Sequence, residues 1–180
     1  MLPFMALFRG DANNNFLRGT SEDDRIVGFE GNDTLIGGSG DDTLLGRTQN
    51  DLIRDNSGND LIRGGAGADT IINGRGDDRI DGGAGNDTII DGSGNDTILG
   101  SAGSDKFIFD FDGDGDVNTI RGFLVGEDVL DIPDGPNVQR TFGSSSDGDL
   151  LLTYSNGIES VAIEIEAIVG NQENITDSII

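Results

Sequence analysis

The chain has 180 residues, with 34 acidic against 11 basic side chains, a formal net charge of −23, no cysteine and no histidine. The two absences exclude disulfides, thiol nucleophiles, zinc or iron held by imidazole or thiolate, and any Ser-His or Cys-His relay. The charge excludes nucleic acid and anionic membrane surfaces, which need a basic footprint, and leaves cations or basic surfaces as partners.

Residues 1–9 open the chain with Met1-Leu2-Pro3-Phe4-Met5-Ala6-Leu7-Phe8. The stretch has no basic leading segment and no small-residue cleavage site, so it fits a Sec signal peptide poorly. It reads as an N-terminal cap, a lid on the open end of the first coil, of the kind terminal repeats need. No apolar run in the chain is long enough to span a bilayer.

From Gly10 to Ile108 a nine-residue period runs without insertion or deletion, cleanest in Gly82-Gly83-Ala84-Gly85-Asn86-Asp87-Thr88-Ile89-Ile90. Eleven rows start at Gly10, Gly19, Gly28, Gly37, Gly46, Asp55, Gly64, Asn73, Gly82, Asp91 and Gly100. The sixth position is Asn15, then Asp24, Asp33, Asp42, Asp51, Asp60, Asp69, Asp78, Asp87, Asp96 and Asp105. The eighth is always large and apolar, from Leu17 and Ile26 to Ile98 and Phe107. In each row six turn-formers precede three residues of β-propensity, so a row is a turn followed by a short strand. Two rows make one coil of eighteen residues. The strands then stack into two parallel sheets spaced about 4.8 Å along the axis, with the eighth-position side chains inward. The predicted fold is all-β: a right-handed parallel β-roll over 10–108 with a C-terminal β cap over 109–180.

The row pattern G-G-x-G-x-D-x-U-x, with U a large apolar residue, resembles the RTX (repeats-in-toxin) hemolysin-type calcium-binding nonapeptide family. The resemblance implies a calcium-binding β-roll, and because almost no chain remains for a catalytic domain the reading is non-enzymatic. Alternate turns lie on opposite edges, so residues eighteen apart would share a metal. One edge carries Asp24, Asp42, Asp60, Asp78 and Asp96, and the other Asp33, Asp51, Asp69, Asp87 and Asp105. A cation between two stacked turns would take a carboxylate from each and complete its oxygen shell with turn carbonyls such as those of Gly65, Gly67, Gly74, Gly76, Gly83, Gly85, Gly92 and Gly94. Asp55, Asn73 and Asp91 at the first position tolerate glycine-like backbone angles. Row 46 has Arg47 and Gln49, and row 19 has Thr20 and Glu22, where glycine is usual, which weakens sites that use Asp51 or Asp24. The best pairs are Asp42 with Asp60, Asp60 with Asp78, Asp78 with Asp96, Asp69 with Asp87, and Asp87 with Asp105. The expected load is about five to eight calcium ions. With dissociation constants of ~0.1 to 1 mM, about 10 mM calcium adds roughly 1.4 to 2.7 kcal/mol per site. A protein unfolded in a low-calcium cytoplasm and folded outside follows from that dependence. In the competing account the aspartate column only caps turns.

Beyond the rows, Ser104-Asp105-Lys106-Phe107-Ile108-Phe109, Asn118-Thr119-Ile120-Arg121-Gly122-Phe123 and Gly126-Glu127-Asp128-Val129-Leu130-Asp131-Ile132 resemble the segments that follow the repeats in RTX proteins. Asn118 and Gly122 stand where aspartate is usual. Asp110, Asp112, Asp114 and Asp116 match the first half of an EF-hand loop, but Arg121 occupies the place of its bidentate glutamate, so an extra metal loop competes with a solvated acidic one. Strand-like stretches at 149–154 and 161–168 would extend and close the roll. Ile72, Ile90 and Ile108 form an outward stripe, for packing against those strands or for self-association. The ending Asp177-Ser178-Ile179-Ile180 resembles an uncleaved type I secretion signal.

The functional expectation is a calcium-folded extracellular or cell-surface element of bacterial type, exported through type I secretion machinery. The alternatives are a calcium-dependent adhesion or polysaccharide-binding module, or the C-terminal module of a larger secreted enzyme. Ice binding is disfavoured because Arg25, Leu52, Leu61, Arg79 and Lys106 interrupt the seventh-position threonines. Arg54, Arg63 and Arg79 read as solvated charges on the outer faces.

Overall fold

Glycine-rich turns alternate with short β-branched or aliphatic runs, and in the computed structural model each run is a strand. The structure describes residues 5–109, 117–124 and 127–132, and the backbone of three further strands at 139–144, 150–155 and 160–166. Numbered in chain order, the strands are β1 (Ala6–Arg9), β2 (Phe16–Arg18), β3 (Asp24–Phe29), β4 (Thr34–Ile36), β5 (Thr43–Thr48) and β6 (Leu52–Arg54). They continue with β7 (Leu61–Ala66), β8 (Thr70–Ile72), β9 (Arg79–Ala84), β10 (Thr88–Ile90), β11 (Thr97–Ala102) and β12 (Lys106–Ile108). The last are β13 (Val117–Arg121), β14 (Val129–Asp131), β15 (Gln139–Ser144), β16 (Leu150–Ser155) and β17 (Ser160–Glu166). No helix occurs among the described residues, and hence none long and apolar enough to cross a membrane.

Odd and even strands go to different sheets, as a two-row coil requires. Strands β1 to β13 with odd numbers stack in order, and β14 to β2 with even numbers form the facing seven-stranded sheet. All of these pairs are parallel, and within the repeats partners are eighteen residues apart: Ile26 with Leu44, Leu44 with Ile62, Ile53 with Ile71. One inward residue per strand makes a thin core, in which Leu35, Leu44, Ile53, Ile62, Ile71 and Ile98 are fully buried. Each such side chain contributes about 1.5 to 3 kcal/mol by leaving water. The pattern goes on past the repeats at wider spacing: Ile98 pairs with Ile120, and Phe107 with Leu130.

At the N-terminus β1 pairs in parallel with β3, and Phe8 packs against the core while Leu7 is exposed. At the other end β17 joins β13 in parallel, and β16 and β15 follow antiparallel, so these three strands lengthen one sheet to ten strands. The Ile72, Ile90 and Ile108 stripe belongs to the other, seven-stranded sheet. The expected packing of the C-terminal strands across that stripe is therefore not their place in the fold; sheet extension satisfies their backbone groups instead.

Candidate metal centre

The turn of each row bends the chain so that its sixth residue points into the roll. None of the ten aspartates from Asp24 to Asp105 is more than 3 % exposed. Their Oδ1 atoms form a ladder along each edge. The amide of Asp33 donates to Asp51, that of Asp51 to Asp69, that of Asp69 to Asp87 and that of Asp87 to Asp105, at 2.7 to 2.9 Å. On the second edge the amides of Asp24, Asp42, Asp60 and Asp78 donate to Asp42, Asp60, Asp78 and Asp96 in the same way. The second oxygen is different. Oδ2 of Asp33, Asp42, Asp51, Asp60, Asp69, Asp78 and Asp87 is buried without a hydrogen-bond partner. A buried carboxylate oxygen left unmatched carries a desolvation penalty of ~1 to 3 kcal/mol or more.

Glycine makes room for these oxygens. A Cβ on Gly82 would lie 2.5 Å from Asp87 Oδ2. The eight glycines expected to supply carbonyls stack in four pairs, Gly83 on Gly65, Gly85 on Gly67, Gly92 on Gly74 and Gly94 on Gly76. In each pair the Cα of one packs against the carbonyl of the other, too close for any Cβ. Row 46 keeps this turn without glycine, because Arg47 and Gln49 adopt φ of 94° and 71°. Asp51 accordingly has the same geometry as its neighbours. Asp24 does not: its Oδ2 accepts from the Thr20 amide at 2.6 Å and from the Thr20 hydroxyl at 2.9 Å. There Thr20, the residue that replaces glycine, also occupies the oxygen.

The sequence reading missed three members of the columns. Asn118 Oδ1 accepts from the Asp96 amide, and Asp128 Oδ1 from the Asp105 amide, at 2.8 and 2.9 Å. Ile120 and Leu130, each two positions later as in every row, are the signal that marks them. The third is Asp55, read from sequence as a turn residue. It is 3 % exposed, and one oxygen each of Asp42, Asp55 and Asp60 lie within 4.8 Å of one another. Asp110, Asp112, Asp114, Asp116 and the terminal 177–180 lie outside the described residues.

Burial pushes the Asp42 and Asp87 carboxyls up to about 6 and those of Asp51 and Asp78 up to about 7; the donated amides oppose the shift and neighbouring carboxylates add to it. Burial, then contact with Asp60, raises Asp55 to about 9. Asp33, Asp60, Asp69 and Asp105 move up for the same main reason. Among the described residues the ion pair is Lys106 with Asp131 at 2.7 Å, on the surface. Stacked carboxylates and backbone carbonyls, with no nitrogen or sulfur donor, are a hard-oxygen set suited to calcium or magnesium. The unmatched Oδ2 atoms and their glycine cradles fit such an ion.

No curated protein matches the chain. Among solved structures it is similar to the solution structure of the AlgE6R3 subunit from the Azotobacter vinelandii mannuronan C5-epimerase, at 20% identity and a TM-score of 0.32, over 95% of this chain and 80% of that one. The profile of the RTX calcium-binding nonapeptide repeat matches in four copies, at residues 9–44, 45–80, 72–107 and 81–120. Those copies take up well over half of the chain, which belongs to the RTX calcium-binding nonapeptide repeat family.

Proposed function

We propose that this calcium-binding β-roll is a non-enzymatic element that folds when calcium enters between its stacked turns, after export through a type I system, and that it acts outside the cell as a rigid scaffold. The observation that carries this reading is the column of buried Asp Oδ2 atoms with no partner. An empty roll must hold these charges apart from water, whereas divalent cations would match them. The ligands are the sixth-position aspartates of the best pairs whose Oδ2 is unmatched, Asp42, Asp60, Asp69, Asp78 and Asp87, with carbonyls from the stacked glycines. Calcium supplies charge neutralisation and cross-links successive coils; the chain supplies the spacing. The test is a far-UV circular dichroism titration from EGTA to 10 mM calcium, with magnesium as control. A cooperative, calcium-specific gain of β-signal is expected. A spectrum fully β in EGTA and unchanged by calcium would overturn the folding switch.

A second reading, binding of an acidic polysaccharide, is favoured by the outer face of the longer sheet. Exposed Arg25, Arg63 and Arg79 stand there beside Thr43, Leu45, Leu61 and Thr97, with Asp81 between them. An arginine-lined flat face in a chain of net charge −23 is complementary to a linear polyuronate. Calcium-loaded protein retained on a polyuronate column, and released by Arg63→Ser with Arg79→Ser, would support it. Equal elution of wild type and variant would remove it.

A further inference from the structure

The two edges of the roll are not equivalent at the first position of their rows. The first edge has glycine throughout, at Gly28, Gly46, Gly64, Gly82 and Gly100. The second has Gly37, then Asp55, Asn73 and Asp91, whose side chains enter the interior, where each is at most 7 % exposed. Lower on this edge, amide groups meet the carboxylates. Asn73 Nδ2 donates to Asp96 Oδ2 at 3.0 Å, and Asn118 Nδ2 donates to Asp91 Oδ2 at 2.6 Å.

Asp55 has no such donor. Both of its oxygens are buried without a hydrogen-bond partner, and the residue is 3 % exposed. It is aimed at two other acids, Asp42 from the coil before and Asp60 from its own row, each with an unmatched Oδ2. Gly37 leaves the space: a Cβ there would sit 2.8 Å from Asp55 Oδ1 and 2.7 Å from Asp42 Oδ2. The amide-matched levels below have their charge partly answered by N–H groups. The Asp42, Asp55 and Asp60 level has three carboxylates and no side-chain amide facing them; the Asp24 and Asp42 backbone amides reach only Oδ1 of Asp42 and Asp60.

We propose that Asp55 converts the level between Asp42 and Asp60 into a three-carboxylate calcium site, the tightest on the roll and the first to fill. The proposal rests on the calcium reading of the roll and goes beyond the sixth-position ladder, in which each ion meets two carboxylates. Affinity for calcium rises with the number of charged ligands in the site. Filling this level first would join the second and third complete coils and leave neighbouring levels prearranged for the next ions.

The full chain, its Asp55→Asn variant and its Gly37→Ala variant are compared by calcium calorimetry, with native mass spectrometry to count bound ions. Asp55→Asn keeps the shape and removes one charge from a crowded, buried group, so it retains the fold at saturating calcium, which circular dichroism checks. Gly37→Ala keeps all three acids and fills the cradle. Both variants are expected to weaken the first binding step about ten-fold or more, while the ion count of Asp55→Asn at saturating calcium stays the same, because Asp42 and Asp60 still offer two carboxylates there. An unchanged first step in Asp55→Asn would overturn the proposal while leaving the calcium-binding roll intact. A wild type that binds no calcium would instead overturn the reading beneath it.

Discussion

A residue at positive φ normally has to be glycine, and four positions in this roll, three of them at or near strand ends, break that rule. Phe29, Arg47, Gln49 and Ser101 have φ of 86°, 94°, 71° and 78°. The left-handed conformation costs an L-residue ~1 to 2 kcal/mol. For Phe29 and Arg47 a contact offsets part of this, since the Arg9 and Arg47 guanidinium groups lie 5.0 and 5.9 Å from the Phe29 ring. Gln49 is exposed and gains no such stacking. Gln49→Gly should therefore stabilise the calcium-saturated roll by about 0.5 to 1 kcal/mol, the strain relieved less the added freedom of glycine in the unfolded chain. A urea midpoint in saturating calcium measures it. A lower midpoint would show that the Gln49 side chain contributes more than its backbone strain removes.

Single rows were readable from the sequence because every row repeats one apolar and one acidic residue, and Leu44 and Asp42 need no knowledge of other coils to be placed. Contacts between coils were not readable. Side chains at the fifth position form a second ladder: Asn14, Asn32 and Asn50 accept from the amides of Asn32, Asn50 and Ala68 in the following coil. On the other edge Asp23, Asp41, Asn59 and Asp77 do the same for Asp41, Asn59, Asp77 and Asn95. The sixth-position aspartates accept instead from the preceding coil. Successive coils are thus tied in both directions, and the choice of direction depends on where the turn aims each Cβ, which composition does not encode. Asp55 was hidden for the same reason. Its row looks like any other, and only the missing Cβ of Gly37 in the coil above, together with Asp42, reveals the space it enters. The continuation through Asn118 and Asp128 was obscured because the intervals between coils widen there from 18 residues to 22 and 23.

Across the whole molecule the buried acids couple folding to pH as well as to calcium. Without a divalent cation, Asp42, Asp51, Asp78 and Asp87 titrate at about 6 to 7 in the folded roll. Their ordinary value in an unfolded chain is about 3.9. A folded pKa above the unfolded one means that proton uptake favours the fold. That stabilisation is complete below about pH 4 and is lost as pH rises through about 6 to 7. Asp11 works in the opposite direction, held low by Asn13 and Asn15, but it is fully exposed and weakly coupled to folding. In EGTA the residual β-signal, which reports the folded fraction, should accordingly be higher at about pH 5 than at about pH 8. Calcium reverses the order because it binds the ionised carboxylates and displaces their protons. In calcium the roll should be more stable at about pH 8 than in EGTA at any pH, and the calcium midpoint should move to higher concentration as pH falls from about 8 to 5. Circular dichroism in EGTA and along a calcium titration at each pH across that range would read both trends. Stability in EGTA that is flat, or that rises toward pH 8, would mean that the buried Oδ2 atoms are matched by something other than protons or metal.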